Sequence, residues 1–89
     1  MKVPRYTGQF KKDVKLAQKR GKNIEKLKAL IVTLAESGTL EAKYRDHPLK
    51  GTLSEYRECH IEPDWLIIYR SEVSEITLIR TGTHSDLFG

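Results

Sequence analysis

Two amphipathic segments joined by three residues constrain the fold of this chain more than any other feature. Apolar side chains recur at three- and four-residue spacing over residues 8–20 and again over residues 24–37, which is typical of one face of an α-helix. The apolar positions are Phe10, Val14 and Ala17 in the first segment and Ile24, Leu27, Leu30, Ile31, Leu34 and Ala35 in the second. Because only residues 21–23 separate the segments, we predict two helices in an antiparallel hairpin. The apolar surface that the two helices share must be buried against a second layer, such as a β-sheet.

Three segments in the second half of the chain are predicted to form a β-sheet that buries the apolar surface of the two helices. Residues 56–61, 65–69 and 75–80 are rich in β-branched and aromatic side chains, and the connectors between them are typical of turns. Residues 3–6 predict a further short strand, because Pro4 biases its predecessor towards extended geometry. The expected order is therefore β-α-α-β-β-β. This is an α+β fold, with the helical hairpin packed on one face of a largely antiparallel four-stranded sheet.

The remaining segments and the length of the chain limit where a site can lie. We expect an open second sheet face, a polar connector over residues 39–52, and a tail over residues 81–89 with room for one helical turn. Eighty-nine residues make a single domain, 1–89. At this size roughly 60 to 65% of the unfolded surface can be buried, so a surface cleft is expected rather than a deep cofactor pocket.

The cysteine count and the hydropathy pattern predict a cytoplasmic protein. Cys59 is the only cysteine and has no disulfide partner within the chain. The first residues lack the pattern of a secretory signal, and no apolar run reaches the roughly 20 residues that cross a bilayer. We therefore expect no membrane partner and no bound cofactor.

Positive charge is concentrated in and around the first predicted helix. Residues 1–28 hold ten lysines and arginines against two acidic residues, although the net charge of the whole chain is only +4. Lys11, Lys12 and Lys15 lie outside the apolar stripe of that helix. Such a block attracts polyanions, although a solvated helix face carries the same pattern. A nucleic acid, RNA or DNA, or an acidic partner is what this charge distribution favours.

Three histidines lie in three segments that border the predicted open face. His47 is in the connector, His60 is in the strand over residues 56–61, and His84 begins the tail. Imidazoles titrate near neutral pH and suit general acid/base catalysis, whereas a single histidine is more often only a hydrogen-bonded side chain. Asp64 adds a carboxylate, and Arg80 can pair with a carboxylate or a phosphate. No two histidines have the spacing of an HExxH or HxH pair, so a metal site is less favoured.

Strand alternation assigns the neighbours of His60 to opposite faces of the sheet. Cys59 is expected to fill the core together with Ile61, whereas His60 shares the other face with Glu58 and Tyr56. A buried cysteine of this kind is not a candidate nucleophile.

Trp65 and Phe88 allow two interpretations. Aromatic side chains usually anchor a core. However, Trp65 follows an aspartate in a turn and Phe88 lies in the tail, and both are suitable places for stacking on an exposed base. The residues alone leave both interpretations open.

Several strings of residues in the chain carry a family resemblance. They are DHPLKG at 46–51, YRECHIEPDW at 56–65, RTGTH at 80–84 and LF at 87–88, together with YTGQ at 6–9 and DVKLAQKR at 13–20. In these strings, which span nearly the whole chain, the sequence resembles the YafQ branch of the RelE/ParE toxin superfamily. The wider RelE branch has arginine, lysine and tyrosine where this chain has histidines.

The resemblance implies a toxin of a type II toxin–antitoxin pair. Such a toxin is a small endoribonuclease that cleaves mRNA at the ribosome and is neutralised by a cognate antitoxin. The functional positions of the family correspond here to His47, His60, Asp64, Trp65, His84 and Phe88.

The implied reaction is metal-free, with the neighbouring 2′-hydroxyl as the nucleophile. It needs a base, an acid and positive charge at the phosphate. We assign His47 as the base and His84 as the acid, an order that can be exchanged. His60 and Arg80 are expected to stabilise the charged phosphate, and Asp64 is expected to orient an imidazole.

Binding is assigned to other residues. Trp65 and Phe88 are expected to hold the nucleotide, while Lys11, Lys12 and Lys15 contact ribosomal RNA phosphates. Two alternatives keep the same fold. One is a ParE-like inhibitor that binds a protein target such as a topoisomerase without catalysis, and the other is an RNA-binding module that blocks translation by occupancy.

Overall fold

A computed structural model describes all 89 residues of the chain. The elements are β1 (Val3–Tyr6), α1 (Gly8–Lys19), α2 (Ile24–Ser37), β2 (His47–Pro48), β3 (Arg57–Glu62), β4 (Trp65–Ser71), β5 (Glu75–Gly82) and α3 (His84–Phe88), with 3-10 turns at Ala42–Tyr44 and Gly51–Leu53. The structure thus has the predicted order with one additional strand, β2 in the connector, and the tail forms α3 where the sequence left room for a helical turn.

Local hydrogen bonds determine where the two long helices begin and end. The Thr7 hydroxyl accepts from the backbone N–H three residues on, at 3.0 Å, and caps α1. The Asn23 side chain caps α2 by accepting from the backbone N–H of Glu25, two residues on, at 3.1 Å. At the other end of α2, Gly38 adopts the left-handed conformation with φ of 74°, which glycine tolerates without strain. Both helices therefore begin at the first residues of the predicted segments, residues 8 and 24.

The sheet confirms the α+β class but has one strand more than predicted. Its order is β1-β5-β4-β3-β2, with β1 parallel to β5 and the other neighbours antiparallel. The additional strand is β2, in which His47 lies opposite Glu58 and Pro48 lies opposite Arg57. Two residues are too few to show the period-two alternation by which a strand is detected in a sequence.

The two long helices bury one face of the sheet. The core contains residues of the helices together with the inward-facing side chains of β3, β4 and β5. Cys59 is fully buried among them, as the alternation of β3 predicts. Burial raises the pKa of its thiol to about 12, so the thiol stays protonated and unreactive near neutral pH.

The second face is less open than expected. Glu58 and Ile68 lie opposite each other on this face, as do His60 and Leu66, and all four are buried. The tail contributes to this cover, because α3 packs against β5 and brings the ring of His84 next to that of His60. None of the helices combines the length and the apolar character needed to span a membrane.

Candidate functional site

Three imidazoles form a row on the face of the sheet opposite the helices. The ring centroid of His60 lies 6.3 Å from that of His47 and 5.6 Å from that of His84. The three residues belong to β2, β3 and the first turn of α3. Residues that are far apart in the sequence are therefore brought together by the additional strand on one side and the folded tail on the other. We call these three residues the histidine row.

His47 is held in one tautomer by the backbone. Its Nδ1 lies 2.6 Å from the carbonyl oxygen of Arg45, and because a carbonyl can only accept, Nδ1 must carry the hydrogen. The neutral ring then has its lone pair at Nε2, which lies 3.6 Å from Oε1 of Glu58. His47 therefore presents an atom that can accept a proton.

His60 occupies the middle of the row and is only 6% exposed. Its Nε2 lies 3.7 Å from Oε1 of Glu58, and its Nδ1 has no hydrogen-bond partner. Burial is the main cause that lowers the pKa of His60. The negative charge of Glu58 raises this pKa, whereas the positive charges of neighbouring groups lower it further. His60 is therefore a neutral imidazole at pH 7, with a ring nitrogen left for a ligand.

His84 is oriented by Asp64. One carboxylate oxygen of Asp64 accepts from the backbone N–H of His84 at 2.9 Å and from its Nδ1 at 2.6 Å. The backbone hydrogen bond, followed by the side-chain one, lowers the pKa of Asp64. Since Asp64 occupies Nδ1, Nε2 is the atom of His84 that can exchange a proton with a substrate.

The start of α3 fixes the position of His84. Thr83 and Asp86 form a capping box, in which each side chain accepts from the backbone N–H of the other. Asp86 also pairs with Arg20 at the end of α1. These contacts hold the short helix against the body of the domain.

Sequence reasoning did not identify Glu58 as a member of the site. Its carboxylate is 7% exposed and lies between two imidazoles, as the distances above show. Alternation placed Glu58 on the face of His60, but its approach to His47 depends on the pairing of β2 with β3. Ligand atoms of Glu58, His60 and His84 all lie within 4.8 Å of one another, so these three side chains are able to hold a metal ion.

Arg80 does not join the histidine row. Its Nε donates to the Asp13 carboxylate of α1 at 2.7 Å, and the backbone N–H of Thr81 donates to the same carboxylate at 3.2 Å. Asp13 is only 8% exposed and needs a cation to compensate its burial. Arg80 therefore anchors α1 to β5, which corrects its assignment to the phosphate.

Trp65 is likewise not available to a nucleotide. It is 1% exposed, and its indole N–H donates to the Thr81 hydroxyl at 3.0 Å. The Nζ of Lys22 lies 5.7 Å from the ring centroid. Of the two interpretations of Trp65, the core anchor is correct and the stacking prediction is wrong, because the largest side chain of the chain fills the space between sheet and helices.

The other predicted binding residues are exposed. Phe88 lies at the end of α3, four residues beyond His84, and is half exposed. Lys11, Lys12 and Lys15 are exposed on α1, in the helical layer on the side of the sheet opposite the histidine row. Whatever the lysines bind, they contact it at a distance from the imidazoles.

Comparison with known proteins relates this arrangement to one group of bacterial toxins. Residues 2–89 match the family model described as a bacterial toxin of type II toxin–antitoxin system, YafQ. The mRNA interferase toxin YafQ of Escherichia coli (strain K12) is 51% identical over 85 residues, which are 94% of this chain and 92% of that protein.

Solved structures agree with the sequence comparison. A chain in the crystal structure of the E. coli DinJ-YafQ toxin-antitoxin complex has a TM-score of 0.92 and 48% identity, covering 99% of this chain and 98% of that one. A metal-bound toxin from Helicobacter pylori has a TM-score of 0.91 and 39% identity, covering 99% and 100% of the two chains. Both comparisons extend over the histidine row.

Proposed function

The chain belongs to the YafQ family of toxins of bacterial type II toxin–antitoxin systems, and we propose that it is an endoribonuclease that cleaves mRNA during translation. Two observations support this proposal. The E. coli relative with 51% identity is an mRNA interferase, and the histidine row has the chemistry of general acid/base catalysis. The observation that carries the catalytic part is the pair of oriented imidazoles, in which Nδ1 of His47 and of His84 is engaged and Nε2 remains for the substrate.

Cleavage begins at His47. Its Nε2 takes the proton of the 2′-hydroxyl, and the resulting oxygen attacks the adjacent phosphorus. The carbonyl of Arg45 keeps the proton at Nδ1, so the neutral ring presents a lone pair and can act as the base.

The reaction is completed at His84. As the P–O5′ bond breaks, Nε2–H of protonated His84 gives its proton to the leaving oxygen. The carboxylate of Asp64 at Nδ1 holds the ring in place, and its negative charge stabilises the imidazolium form. The products are a 2′,3′-cyclic phosphate on the upstream fragment and a 5′-hydroxyl on the downstream fragment.

The proposed partners follow from the exposed residues. Phe88 stacks on a nucleotide of the message near His84. Lys11, Lys12 and Lys15 hold the toxin on ribosomal RNA through phosphate contacts that are independent of sequence. The protein acts in the cytoplasm, where messages are translated.

We further propose that a cognate antitoxin neutralises the protein. The E. coli YafQ chain that this protein resembles is solved as a complex with DinJ. The concentration of positive charge over residues 1–28 favours association with an acidic chain.

Mapping new RNA ends separates cutting from mere binding. Translating ribosomes incubated with the protein are expected to accumulate messages with new ends inside the coding region. Stalled ribosomes with intact messages would instead support an occupancy blocker. Unaffected translation in ribosomes, combined with toxicity in cells, would support an inhibitor of a protein target.

Cleavage is expected to proceed without a metal ion. Glu58, His60 and His84 fit a transition metal such as zinc, and the unpartnered Nδ1 of His60 is consistent with a ligand there. A metal bound at these residues would act as a Lewis acid, but it would compete for the imidazole of His84, which the proposed mechanism uses as the general acid.

The test is a zinc-selective chelator, because ribosomes need their magnesium. The rate of mRNA cleavage should be unchanged by the chelator and should fall when zinc is added. Loss of cleavage on chelation, with recovery on addition of zinc, would contradict the acid/base assignment.

A further inference from the structure

The strand that carries His47 does little to hold it in place. β2 is an edge strand of the sheet and has only two residues, of which Pro48 has no backbone N–H to donate. The side chain of His47 is about half exposed. Its imidazole therefore needs an anchor outside β2 if it is to keep a fixed place in the histidine row.

Asp46, the residue before His47, is held by two side chains of the neighbouring strands. Its Oδ1 accepts from the hydroxyl of Tyr69 at 2.5 Å and from Nε of Arg57 at 3.3 Å. The same Nε lies 3.3 Å from the Tyr69 oxygen, so the three side chains form a closed triangle. The Asp46 carboxylate is only 13% exposed, and the guanidinium compensates its charge there.

Tyr69 ties this triangle to the most rigid part of the domain. It belongs to β4, the middle strand of the sheet, and is 1% exposed within the core. Burial is the main cause that raises the pKa of the Tyr69 hydroxyl, and the hydrogen bond to Asp46 raises it further. The hydroxyl therefore keeps its proton and donates it to the carboxylate.

The anchor reaches the histidine row through one peptide unit. Successive side chains of an extended chain point to opposite sides, so Asp46 contacts Tyr69 on the helix side while the ring of His47 lies beside that of His60. On the other side of Asp46, the carbonyl of Arg45 accepts from Nδ1 of His47. Holding Asp46 thus holds the donor and the acceptor of the bond that sets the tautomer of His47.

The backbone of Arg45 shows that this short segment is under constraint. Arg45 is the only residue other than glycine with a positive φ, 51°. Such a conformation is unfavourable for a residue with a side chain and persists where the surroundings impose it. The triangle around the next residue supplies that constraint.

We propose that Tyr69 and Asp46 are positioning residues for the base. The hydroxyl of Tyr69 holds the carboxylate of Asp46, and through it the backbone that keeps His47 in one tautomer and in its place beside His60. Neither side chain contacts the RNA. The catalytic consequence rests on the proposed ribonuclease activity, whereas the effect on His47 is measurable without any RNA.

The substitution Tyr69→Phe removes the hydroxyl and keeps the ring in the core. Proton–nitrogen correlation spectra of the parent, recorded where the imidazoles are neutral, should show His47 with a protonated Nδ1 and an unprotonated Nε2. In the variant we expect the two ring-nitrogen signals of His47 to move towards each other, since a released ring exchanges between its tautomers. The signals of His84 should stay as they are, because Asp64 holds that ring.

The same variant should cleave slowly. We expect the single-turnover rate on saturating ribosomes to fall by roughly 10-fold or more, because a displaced base meets the 2′-hydroxyl in the wrong geometry, with ribosome association close to that of the parent. Asp46→Ala, outside the core, should have the same effect on the rate and on the His47 signals. Since the hydroxyl acts through Asp46, the double variant should be no slower than Asp46→Ala alone.

Thr81→Val is the matched control for the loss of a buried hydroxyl. This hydroxyl accepts from the indole of Trp65 and donates to the carbonyl of Leu66, so its removal should lower thermal stability but leave the His47 signals and the cleavage rate unchanged. Parental His47 signals in folded Tyr69→Phe or in Asp46→Ala would overturn the proposal, as would a double variant in which the two losses multiply. A parent protein that cuts no message would overturn the ribonuclease proposal, whereas the ring-nitrogen signals would still show whether Tyr69 holds His47.

Discussion

Replacing His84 with alanine is expected to lower the single-turnover rate of mRNA cleavage by roughly 10²-fold or more, the usual contribution of one general acid or base. The 5′-oxygen must then leave without the proton that Nε2 of His84 provides. Ribosome association should remain nearly unchanged, because α3 is held by the Thr83–Asp86 capping box and the Arg20–Asp86 ion pair, neither of which involves the imidazole. The measurement is a rapid-quench time course with ribosomes in excess, together with a separate titration of ribosome binding.

Replacing Lys11, Lys12 and Lys15 with glutamate should have the opposite effect, a loss of ribosome association rather than of cleavage rate. These residues are exposed on α1, away from the histidine row, so their replacement should weaken ribosome association in a salt-dependent manner. The cleavage rate at saturating ribosomes should stay close to the parental rate. Equal losses of binding in the His84 and lysine variants would mean that the roles are assigned wrongly.

A message with a single 2′-deoxy nucleotide on the 5′ side of the cut phosphate is expected to bind normally and to resist cleavage. His47 can activate only a hydroxyl that is present, so the effect should approach complete loss of cutting at that site. The unmodified message should yield a 2′,3′-cyclic phosphate upstream and a free 5′-hydroxyl downstream. End-group analysis of the two fragments by mass spectrometry checks both expectations.

An attack by water predicts different products. If an imidazole or Asp64 activated a water molecule, the deoxy substrate would be cut at a rate similar to that of the natural one and would leave linear ends. That result would rule out the 2′-hydroxyl mechanism but would keep the ribonuclease activity. The matched control is a message with the 2′-deoxy nucleotide two positions further upstream, which should be cut normally.

The parts of the fold that were predictable are those with long periodic patterns and local caps. Thr7 and Asn23 mark the starts of α1 and α2 because a cap and an apolar stripe agree there. Alternation in β3 correctly separated Cys59 from His60. β2 was not predictable, since its two residues form a strand only because β3 offers them hydrogen-bond partners.

The candidate site was predictable in residue type but not in arrangement. Each histidine was identified from the sequence, but the partner of Arg80 is Asp13, 67 positions away, and no local pattern reveals that pair. The position of Trp65 directly after a turn suggested an exposed side chain. In the structure Trp65 is the first residue of β4, and its side chain is already buried in the core. The left-handed conformation of Arg45 was not predictable either, because arginine as a residue type does not favour that conformation.

The pairing of β1 with β5 delays completion of the sheet until late in synthesis. Val3 lies opposite Glu75, so β1 has no partner until nearly all of the domain has been synthesised, and contacts so distant in sequence form late. His84 follows β5 and joins the histidine row later still. A growing chain therefore has no complete histidine row, and so none of the proposed activity, until synthesis has passed the codon for His84.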